Sequence, residues 1–432
     1  MDKPLAIDLF AGAGGMSEGL IQAGFHIIYS NEINSSAALT YQKRHEQLGL
    51  LQGVNTFLDV RDICDVNSDE IFEKINSLFS FKNRNVEIDA VFGGPPCQGF
   101  SRAGKQDEKD GRNTLFKEYI RIISEVNPKY VVFENVPGIV DVRFQNFKSS
   151  IDDSFYQNVH ALDIIVKELN KIGYNCLDYA VLNAADFGIP QNRNRFILIA
   201  YQEGQKAPKY PNPSTRSSKV SVFEALADLI DFSKPKTSYQ IDSVVGRTSN
   251  IKSKKPIESN EFYNNDKTQH LKYIQERFSL LKEGEGVLGL RRRIANNGID
   301  LAECPHLVDF VAKKIDKSKI QVIQLFKNED LSESALNALL TKKNTRIKLD
   351  RNKPSSTIVT LPDDIISPFS DRTFSVRELA RLQSFDDSFV FYGKRTTGSI
   401  KRRDEAPQYT QVGNAVPPLL AKAIALEILK VL

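Results

Sequence analysis

From residue 1 to about residue 203 the chain alternates short apolar runs with longer stretches of helical period. Leu5-Ala6-Ile7-Asp8-Leu9-Phe10 predicts a strand, a glycine loop comes next, and a helix opens near Ser17. Phe25 to Asn31 predicts a second strand and Ile33 to Arg44 a second helix. Further buried strands are expected at Thr56 to Val60, Ile88 to Phe92 and Tyr130 to Phe133, with helices at Thr114 to Val126 and His160 to Ile172. Apolar runs separated by helices are the pattern of parallel strands covered on both faces. Right-handed crossovers then give an α/β fold around a doubly wound, mainly parallel sheet.

Near Lys206 the pattern changes. Ala207 to Ser214 is proline-rich, Lys234 to Asn265 is polar, and the rest of the region carries short helices, as at Val222 to Ile230 and Leu331 to Leu340, with weak strands between them. The chain ends in Pro417 to Leu432, a helix apolar on most sides. Such a helix has to be buried, so the C-terminus is expected to return to the first core. The expected organisation is one unit from 1–203 with 404–432, and a second, smaller one at 204–403.

Charge sharpens that division. The net charge is only +4, but Lys206 to Arg403 carries 36 Lys and Arg against 24 Asp and Glu, while the remainder carries 22 against 30. A basic half joined to an acidic one points to a polyanionic partner for the basic half. Its clusters include Lys252/Lys254/Lys255, Arg291-Arg292-Arg293, Lys342-Lys343 and Lys401-Arg402-Arg403. Each alone reads more readily as a solvated face, but their confinement to one half of the chain favours nucleic acid as the partner. No stretch reads as a membrane span, and the N-terminus lacks the apolar core of a signal peptide, so a cytoplasmic protein is expected. Cys64, Cys97, Cys176 and Cys304 are scattered, without zinc-ligand spacing to any of the five histidines, so neither disulfides nor a metal site is expected.

Two motifs carry chemistry. Gly12, Gly14 and Gly15 lie between the first strand and its helix, where backbone can approach a ligand closely, and Glu32 closes the second strand, placed to accept from ribose hydroxyls. Ser17 stands where the dinucleotide fingerprint has its third glycine. That disfavours a nicotinamide cofactor and favours S-adenosylmethionine, which has no pyrophosphate to cradle. The second motif, Gly93-Gly94-Pro95-Pro96-Cys97-Gln98-Gly99-Phe100-Ser101, projects a thiol from backbone that two prolines hold rigid.

With these motifs stand Asp59-Val60-Arg61-Asp62-Ile63, Phe133-Glu134-Asn135-Val136, Gln191-Asn192-Arg193-Asn194-Arg195, Arg377 to Gln383 and Gln411 to Pro417, in this order. The set, spanning roughly 4–201 and 346–432, resembles the DNA (cytosine-5) methyltransferases of bacterial restriction–modification systems. The resemblance implies a fold of the S-adenosylmethionine-dependent methyltransferase type with a target-recognition domain and hinge at 204–403. It implies methyl transfer to C5 of a cytosine flipped out of duplex DNA. Cys97 would be the nucleophile at C6, Glu134 the group at N3, and Arg195, with Arg193 behind it, would steady the O2 side. The cofactor would meet Asp8, Phe10, Gly12, Gly14, Glu32, Asp59, Leu115 and Asn414. DNA contacts are expected from Ser101 and Arg102 beside the catalytic loop and from Arg291, Arg292 and Arg293. No metal is implied. A monomer is expected, with a partner endonuclease for the same site. Without the resemblance Phe10 reads equally as a core aromatic and Asp59 as a capping carboxylate. Leu58 stands where the family commonly has glycine, Ser367-Pro368 lacks a histidine often found there, and Asp141 to Asn158 has no assigned role. A transfer-RNA cytosine methyltransferase and a catalytically silent DNA-binding regulator remain as alternatives at this point.

Overall fold

The computed structural model describes residues 3–82, 86–96, 115–215, 217–232, 234–327, 331–341, 343–397 and 405–432. The first half holds β1 (Leu5–Leu9), α1 (Gly15–Ala23), β2 (His26–Asn31), α2 (Ser35–Leu48), β3 (Phe57–Asp59), α3 (Ser68–Ser77), β4 (Ala90–Gly93), α4 (Leu115–Val126), β5 (Tyr130–Asn135), β6 (Arg143–Lys148), β7 (Phe155–His160), α5 (Ala161–Lys171), β8 (Tyr174–Cys176), β9 (Ala180–Asn183) and β10 (Asn194–Gln202). Local chemistry sets several boundaries. The Asn34 side chain accepts from the backbone N–H of Ser36 and Ala37 to start α2, and Asn67 with Glu70 forms a reciprocal capping box on α3.

The main sheet has the order β3-β2-β1-β4-β5-β10-β8, with β9 also on β10. β1 to β5 pair in parallel, and β10 runs antiparallel to β5, β8 and β9. One face is covered by α3, α4 and α5, with Ile71, Ile75, Phe116, Ile120, Ile164 and Leu169 in the core. The other is covered by α1 and by the chain's last helix, with Met16, Leu20, Leu420, Ile424 and Ile428 meeting Phe92 and Tyr130. The unassigned excursion at 141–158 folds largely into the hairpin β6–β7, whose Phe144 and Phe147 pack on Phe116 at the start of α4.

After the proline-rich connection come α6 (Val222–Asp231), α7 (Ser238–Val245), α8 (Lys272–Ser279), α9 (Val287–Asn297), α10 (Pro305–Ile315), α11 (Lys319–Lys327), α12 (Glu333–Leu340), β11 (Ile347–Lys348), β12 (Ile365–Ile366), α13 (Val376–Leu382), α14 (Gln408–Asn414) and α15 (Pro418–Leu429). The weak strands expected here reduce, among the described residues, to the two-residue pairing of β11 with β12. The polar stretch from 234 to 265 has no alternating apolar run with which to build a sheet face. Two cores form instead. One gathers Val222, Leu226, Ile358, Phe374, Leu379, Phe385 and Phe391 with Ala13, Val412 and Ala415, so it takes residues from both sides of the expected boundaries at 203 and 404. The other is helical and lies almost wholly within 278–340.

Buried charge ties the first of these cores to the sheet. Arg44 of α2 pairs with Glu18 of α1 at 2.5 Å, and Asp386 accepts from Arg247 at 2.9 Å within reach of Arg44 at 3.9 Å. Arg381 is held by Asp228 at 2.5 Å and Asp387 at 2.6 Å, all three buried. Removing one partner of such a pair leaves an uncompensated charge, at a cost of roughly 3–5 kcal/mol.

Against the sequence expectation, one segment, Gln408–Leu429, does meet the length and mean hydropathy (1.4) of a membrane-crossing helix. Half of its most apolar window is buried within the protein, and it is divided between α14 and α15 by Ala415-Val416-Pro417. Its apolar character is accounted for by its place against α1. That packing is close: a Cβ on Gly19 would lie 2.3 Å from the Pro418 carbonyl oxygen and 2.6 Å from the Ala421 methyl. We expect Gly19→Val to lower stability by at least about 1–3 kcal/mol, read as a fall in the urea midpoint; an unchanged midpoint would exclude close α1–α15 contact in solution.

Candidate active site

The C-terminal ends of the parallel strands β1 to β5 share one edge of the sheet, and β10, being antiparallel, begins there. The strand order reverses between β1 and β4, and the crevice at such a switch point is where doubly wound sheets bind ligands. The glycine loop leaves β1 on one side of this point and Gly93-Gly94-Pro95-Pro96 leaves β4 on the other.

On the glycine side the backbone is in unusual conformations. Gly12 and Gly14 have φ of +57° and +98°, and Phe10 has φ +59°, a strained value for a side chain of that size. Nothing lies within 4 Å of a Cβ built on Gly12, so its outer face is open. Glu32 braces the loop: one carboxylate oxygen accepts from Gly12 N–H and the other from Asn34 N–H, both at 2.8 Å. Burial pushes the Glu32 carboxyl above its ordinary value, and those two bonds pull it back. A carboxylate offers about four acceptor positions, so two remain for hydroxyl donors. Phe10 is half-buried, and Asn414, exposed at the end of α14, is brought in by the returning chain. There the Val416 carbonyl oxygen lies where a Cβ on Gly15 would be, 2.4 Å away. Leu115 sits at the start of α4, partly buried against the main core.

Two of the expected ligand residues are engaged by partners within the protein. Asp8 is buried beneath the loop, with Ser17 Oγ donating to its Oδ2 at 2.5 Å and Tyr41 bonded in turn to Ser17 at 2.8 Å and to Ser30. Its carboxylate is directed at the start of α1, not at the open face. Asp59 is buried and committed to Tyr29 OH at 3.0 Å and to the Arg61 guanidinium at 2.8 Å. Burial would raise its pKa, but the bonds from Arg61 and Tyr29 outweigh burial and hold it low. Beside Glu32 and Asp59, Ile33 is 61% and Val60 55% exposed, an apolar pair on adjacent strand ends that the sequence pattern alone did not single out. The available signal was an apolar residue immediately after each strand-ending acid. A hollow of about 360 Å³ adjoins Asp59, Val60, Arg61, Glu70 and Lys74, without reaching the glycine loop.

On the other side Glu134, in β5, pairs with Arg195, in β10, at 2.7 Å, and both are buried. Burial raises the Glu134 pKa, while Arg195 and the more distant Arg193 oppose the rise. Burial likewise lowers Arg195, against the pull of Glu134. Gly94 leaves room for this carboxylate: a Cβ would fall 2.6 Å from Glu134 Oε2, so a side chain here would displace it. Asn135 donates Nδ2–H to the Pro95 carbonyl at 3.0 Å, a contact that ties the end of β5 to the proline loop. The residues leading into Cys97 therefore run directly against Glu134. Cys97, Ser101 and Arg102 themselves lie outside the described residues. Arg193 does not join the pair. Its guanidinium donates to the carbonyls of Ile358 at 2.9 Å, Gly413 at 2.7 Å and Ala415 at 3.2 Å, which makes it a clamp on the returning chain.

The arginine cluster expected to meet phosphate is only partly available. Arg291 is bound to Glu333 at 3.1 Å, to Asn337 and to the Thr341 carbonyl, and Arg293 to Glu285 at 2.8 Å and the Leu280 carbonyl at 2.6 Å. Both are half-buried; Arg292, between them, is exposed. Lys343 is likewise bound, to Asp363 and Asp364, whereas Lys252, Lys254 and Lys255 are exposed. Three adjacent arginines on one helix cannot share a face, which is the reason for the division.

A sheet of this order, with the glycine loop on one side of its switch point and the Glu134–Arg195 pair on the other, has the S-adenosylmethionine-dependent methyltransferase fold of the proteins it is similar to. The model of the C-5 cytosine-specific DNA methylase family matches residues 5–430. The chain is 30% identical over 425 residues to the Type II methyltransferase M.DdeI of Desulfomicrobium norvegicum, covering 97% of this chain and 87% of that protein. It is also 30% identical over 436 residues to the Type II methyltransferase M.XorII of Xanthomonas oryzae pv. oryzae, covering 100% and 86%. A solved E. coli protein described as a prophage-encoded DNA modification methyltransferase shares the fold, with a TM-score of 0.64 at 23% identity over 99% of each chain. The chain belongs to the C-5 cytosine-specific DNA methylase family and is a DNA (cytosine-5-)-methyltransferase of the kind found in Type II restriction–modification systems.

Asp8 gives the site's framework a pH signature. Burial raises its pKa to about 7 from 3.8, against the opposing Ser17 bonds. The folded state therefore holds a proton that the unfolded chain has released, so this contribution is complete below about pH 4 and is lost as pH rises through about 7. We expect wild type to lose stability relative to Asp8→Asn over that window in urea titrations at successive pH values. A difference that stays constant would place Asp8 in a solvated setting instead.

Proposed function

We propose that the enzyme methylates C5 of a cytosine within a specific duplex sequence, through a transient bond between Cys97 and C6 of a base turned out of the helix. The observation that carries this reading is the contact of Gly94 and Pro95, at the root of the cysteine loop, with Glu134 and Asn135. It brings the backbone that leads into the cysteine motif against a buried acid that is already paired with a fixed guanidinium.

Cytosine C5 becomes nucleophilic when a thiolate adds to C6. The Cys97 sulfur would form that bond while the ring's electrons move toward N3 and O2. Glu134, whose burial favours its protonated form, supplies a proton or a hydrogen bond at N3. Arg195, charged at any working pH, faces the negative charge growing on the O2 side. When bound, S-adenosylmethionine supplies an electrophilic methyl group. Transfer of the C5 proton to water, departure of the Cys97 thiolate and return of the N3 proton to Glu134 then restore the ring. Glu32 suits the ribose hydroxyls, Gly12 and Gly14 the methionine tail, and Phe10, Ile33 and Val60 the faces of adenine. Asp59 would take the adenine amino group once exposed Arg61 yields its place, and Asn414 would close the pocket. Asp8 and Arg193 act here as positioning residues, one beneath the loop and one behind Arg195. Flipping the base costs about a few kcal/mol, to be met by contacts with the basic part of the chain. The relatives' Type II names motivate a partner endonuclease for the same site; a cytoplasmic monomer is the accompanying reading.

Tritiated S-adenosylmethionine offered with duplex DNA or with transfer RNA tests the proposal: label is expected in DNA, and label confined to RNA would overturn it. Cys97→Ala is expected to abolish transfer while cofactor binding persists by calorimetry; turnover in that variant would remove Cys97 as nucleophile. Glu134→Gln keeps a hydrogen bond but loses the proton, so a fall of roughly 10²–10⁴-fold in kcat is expected. Wild-type activity should decline as pH rises through the Glu134 titration, a limb that Glu134→Gln should lack.

A further inference from the structure

The two bound arginines of α9 leave a defined face. On a helical projection Leu288, Gly289, Arg292, Ala295 and Asn296 share one arc of roughly 120°, and all five are exposed. Val287, Leu290 and Ile294 fill the opposite side and are buried in the helical core. Arg291 and Arg293 flank the open arc, and their bonds to Glu333, Asn337 and Glu285 fix the rotation of the helix about its axis. No acidic residue stands on the open arc, and among the described residues no hydrogen bond or ion pair engages Arg292 or Asn296.

The face is also tied to the chemistry. Val287 N–H donates to the Arg346 carbonyl and Gly284 N–H to the Lys348 carbonyl, both at 2.9 Å. From Lys348 the chain runs seven residues to Ser355, a reach of at most about 25 Å. On the way Arg351 is paired with Glu283 at 2.6 Å, and the Arg351 and Lys353 carbonyls accept from Phe223 and Val222. Ser355 exchanges backbone bonds with Pro190 and Asn192 at 2.9 and 2.8 Å, and Ile358 N–H donates to Gln191 Oε1. Arg195 stands three residues beyond Asn192.

We propose that α9 is a base-reading helix, presenting Arg292 and Asn296 to the edges of bases in the DNA major groove, with Leu288 and Ala295 available to thymine methyls. The inference rests on the DNA methyltransferase reading and adds to it the element that selects the sequence. Arginine pairs with guanine O6 and N7 and asparagine with adenine N6 and N7, so these side chains match distinct bases. The surplus of positive charge from Lys206 to Arg403 suits the phosphates on either side, and Glu285, which lies against Gly289, is neutralised by Arg293.

The test uses the full-length protein on a randomised duplex library, with methylated sites read by bisulfite sequencing, for wild type, Arg292→Gln and Asn296→Ala. Each variant is expected to lose roughly 5- to 150-fold in kcat/KM on the wild-type site and to relax its preference at one base pair. Cofactor affinity by calorimetry should not change, which separates the effect from misfolding. An unchanged site and rate in both variants would overturn the inference. So would a uniform loss on all sequences with a shallower salt dependence, the signature of a phosphate contact. A wild-type protein that methylates no duplex would instead overturn the activity, and the inference with it.

Discussion

The return of the chain to its own beginning is the constraint on which the remaining architecture rests. α15 buries Leu420, Ile424 and Ile428 against α1 and the sheet, a contribution of about 1.5–3 kcal/mol for each side chain. That burial needs the helix axes close, and Gly15 and Gly19 supply the closeness by having no Cβ to meet the Val416 and Pro418 carbonyls. One further residue locks the closure. Arg193, immediately before β10, bonds the carbonyls of Gly413 and Ala415, and Gly15 packs on Val416, so the C-terminal segment, the glycine loop and the strand bearing Arg195 are fixed to one another. The two halves of the site are joined through the end of the chain, not only through the sheet.

Within that frame the Glu134–Arg195 pair is poised rather than stabilising. At 2.7 Å the attraction is roughly 6 kcal/mol for an effective dielectric near 20. Taking both ions out of water costs several kcal/mol each, so the two effects nearly cancel. The directions of the pKa shifts agree: burial dominates for both partners, raising the acid and lowering the base. Burial that favours the neutral carboxyl, opposed by a guanidinium that favours the carboxylate, suits Glu134 to exchange a proton, and a guanidinium already fixed in place needs no reorganisation when negative charge develops beside it.

Much of this was legible in the sequence because it is local. Apolar runs located the strands β1 to β5 to within two residues at either end, and glycine, proline and cysteine marked the two loops that flank the switch point. What could not be read is the pairing of residues distant along the chain. Arg291 and Arg293 looked like two of three equivalent phosphate ligands because Glu333, Asn337 and Glu285 are unremarkable until the helices pack. Asp8 looked like a ligand because its position in the motif does not show that Ser17 and Tyr41 lie on its buried side. The shared core of Ala13 with Val222, Phe385 and Val412 likewise exists only in three dimensions, which is why a boundary drawn at the change of composition divides it.

The buried charges explain how a basic, polar region can nonetheless be a rigid platform. Between 228 and 388 cations are neutralised in place: Arg247 on Asp386, Lys267 and Arg372 on Glu378, and Arg381 on Asp228 and Asp387. These groups cannot serve as a counter-charge for DNA without leaving a buried acid unpaired. The surplus that remains for a polyanion is therefore carried by side chains that folding leaves exposed, such as Lys252, Lys254, Lys255 and Arg292. Folding thus sorts the cations into those that hold the scaffold and those that face outward. In α9 the sorting takes place between adjacent residues, and Arg291 and Arg293 hold still the helix from which Arg292 projects.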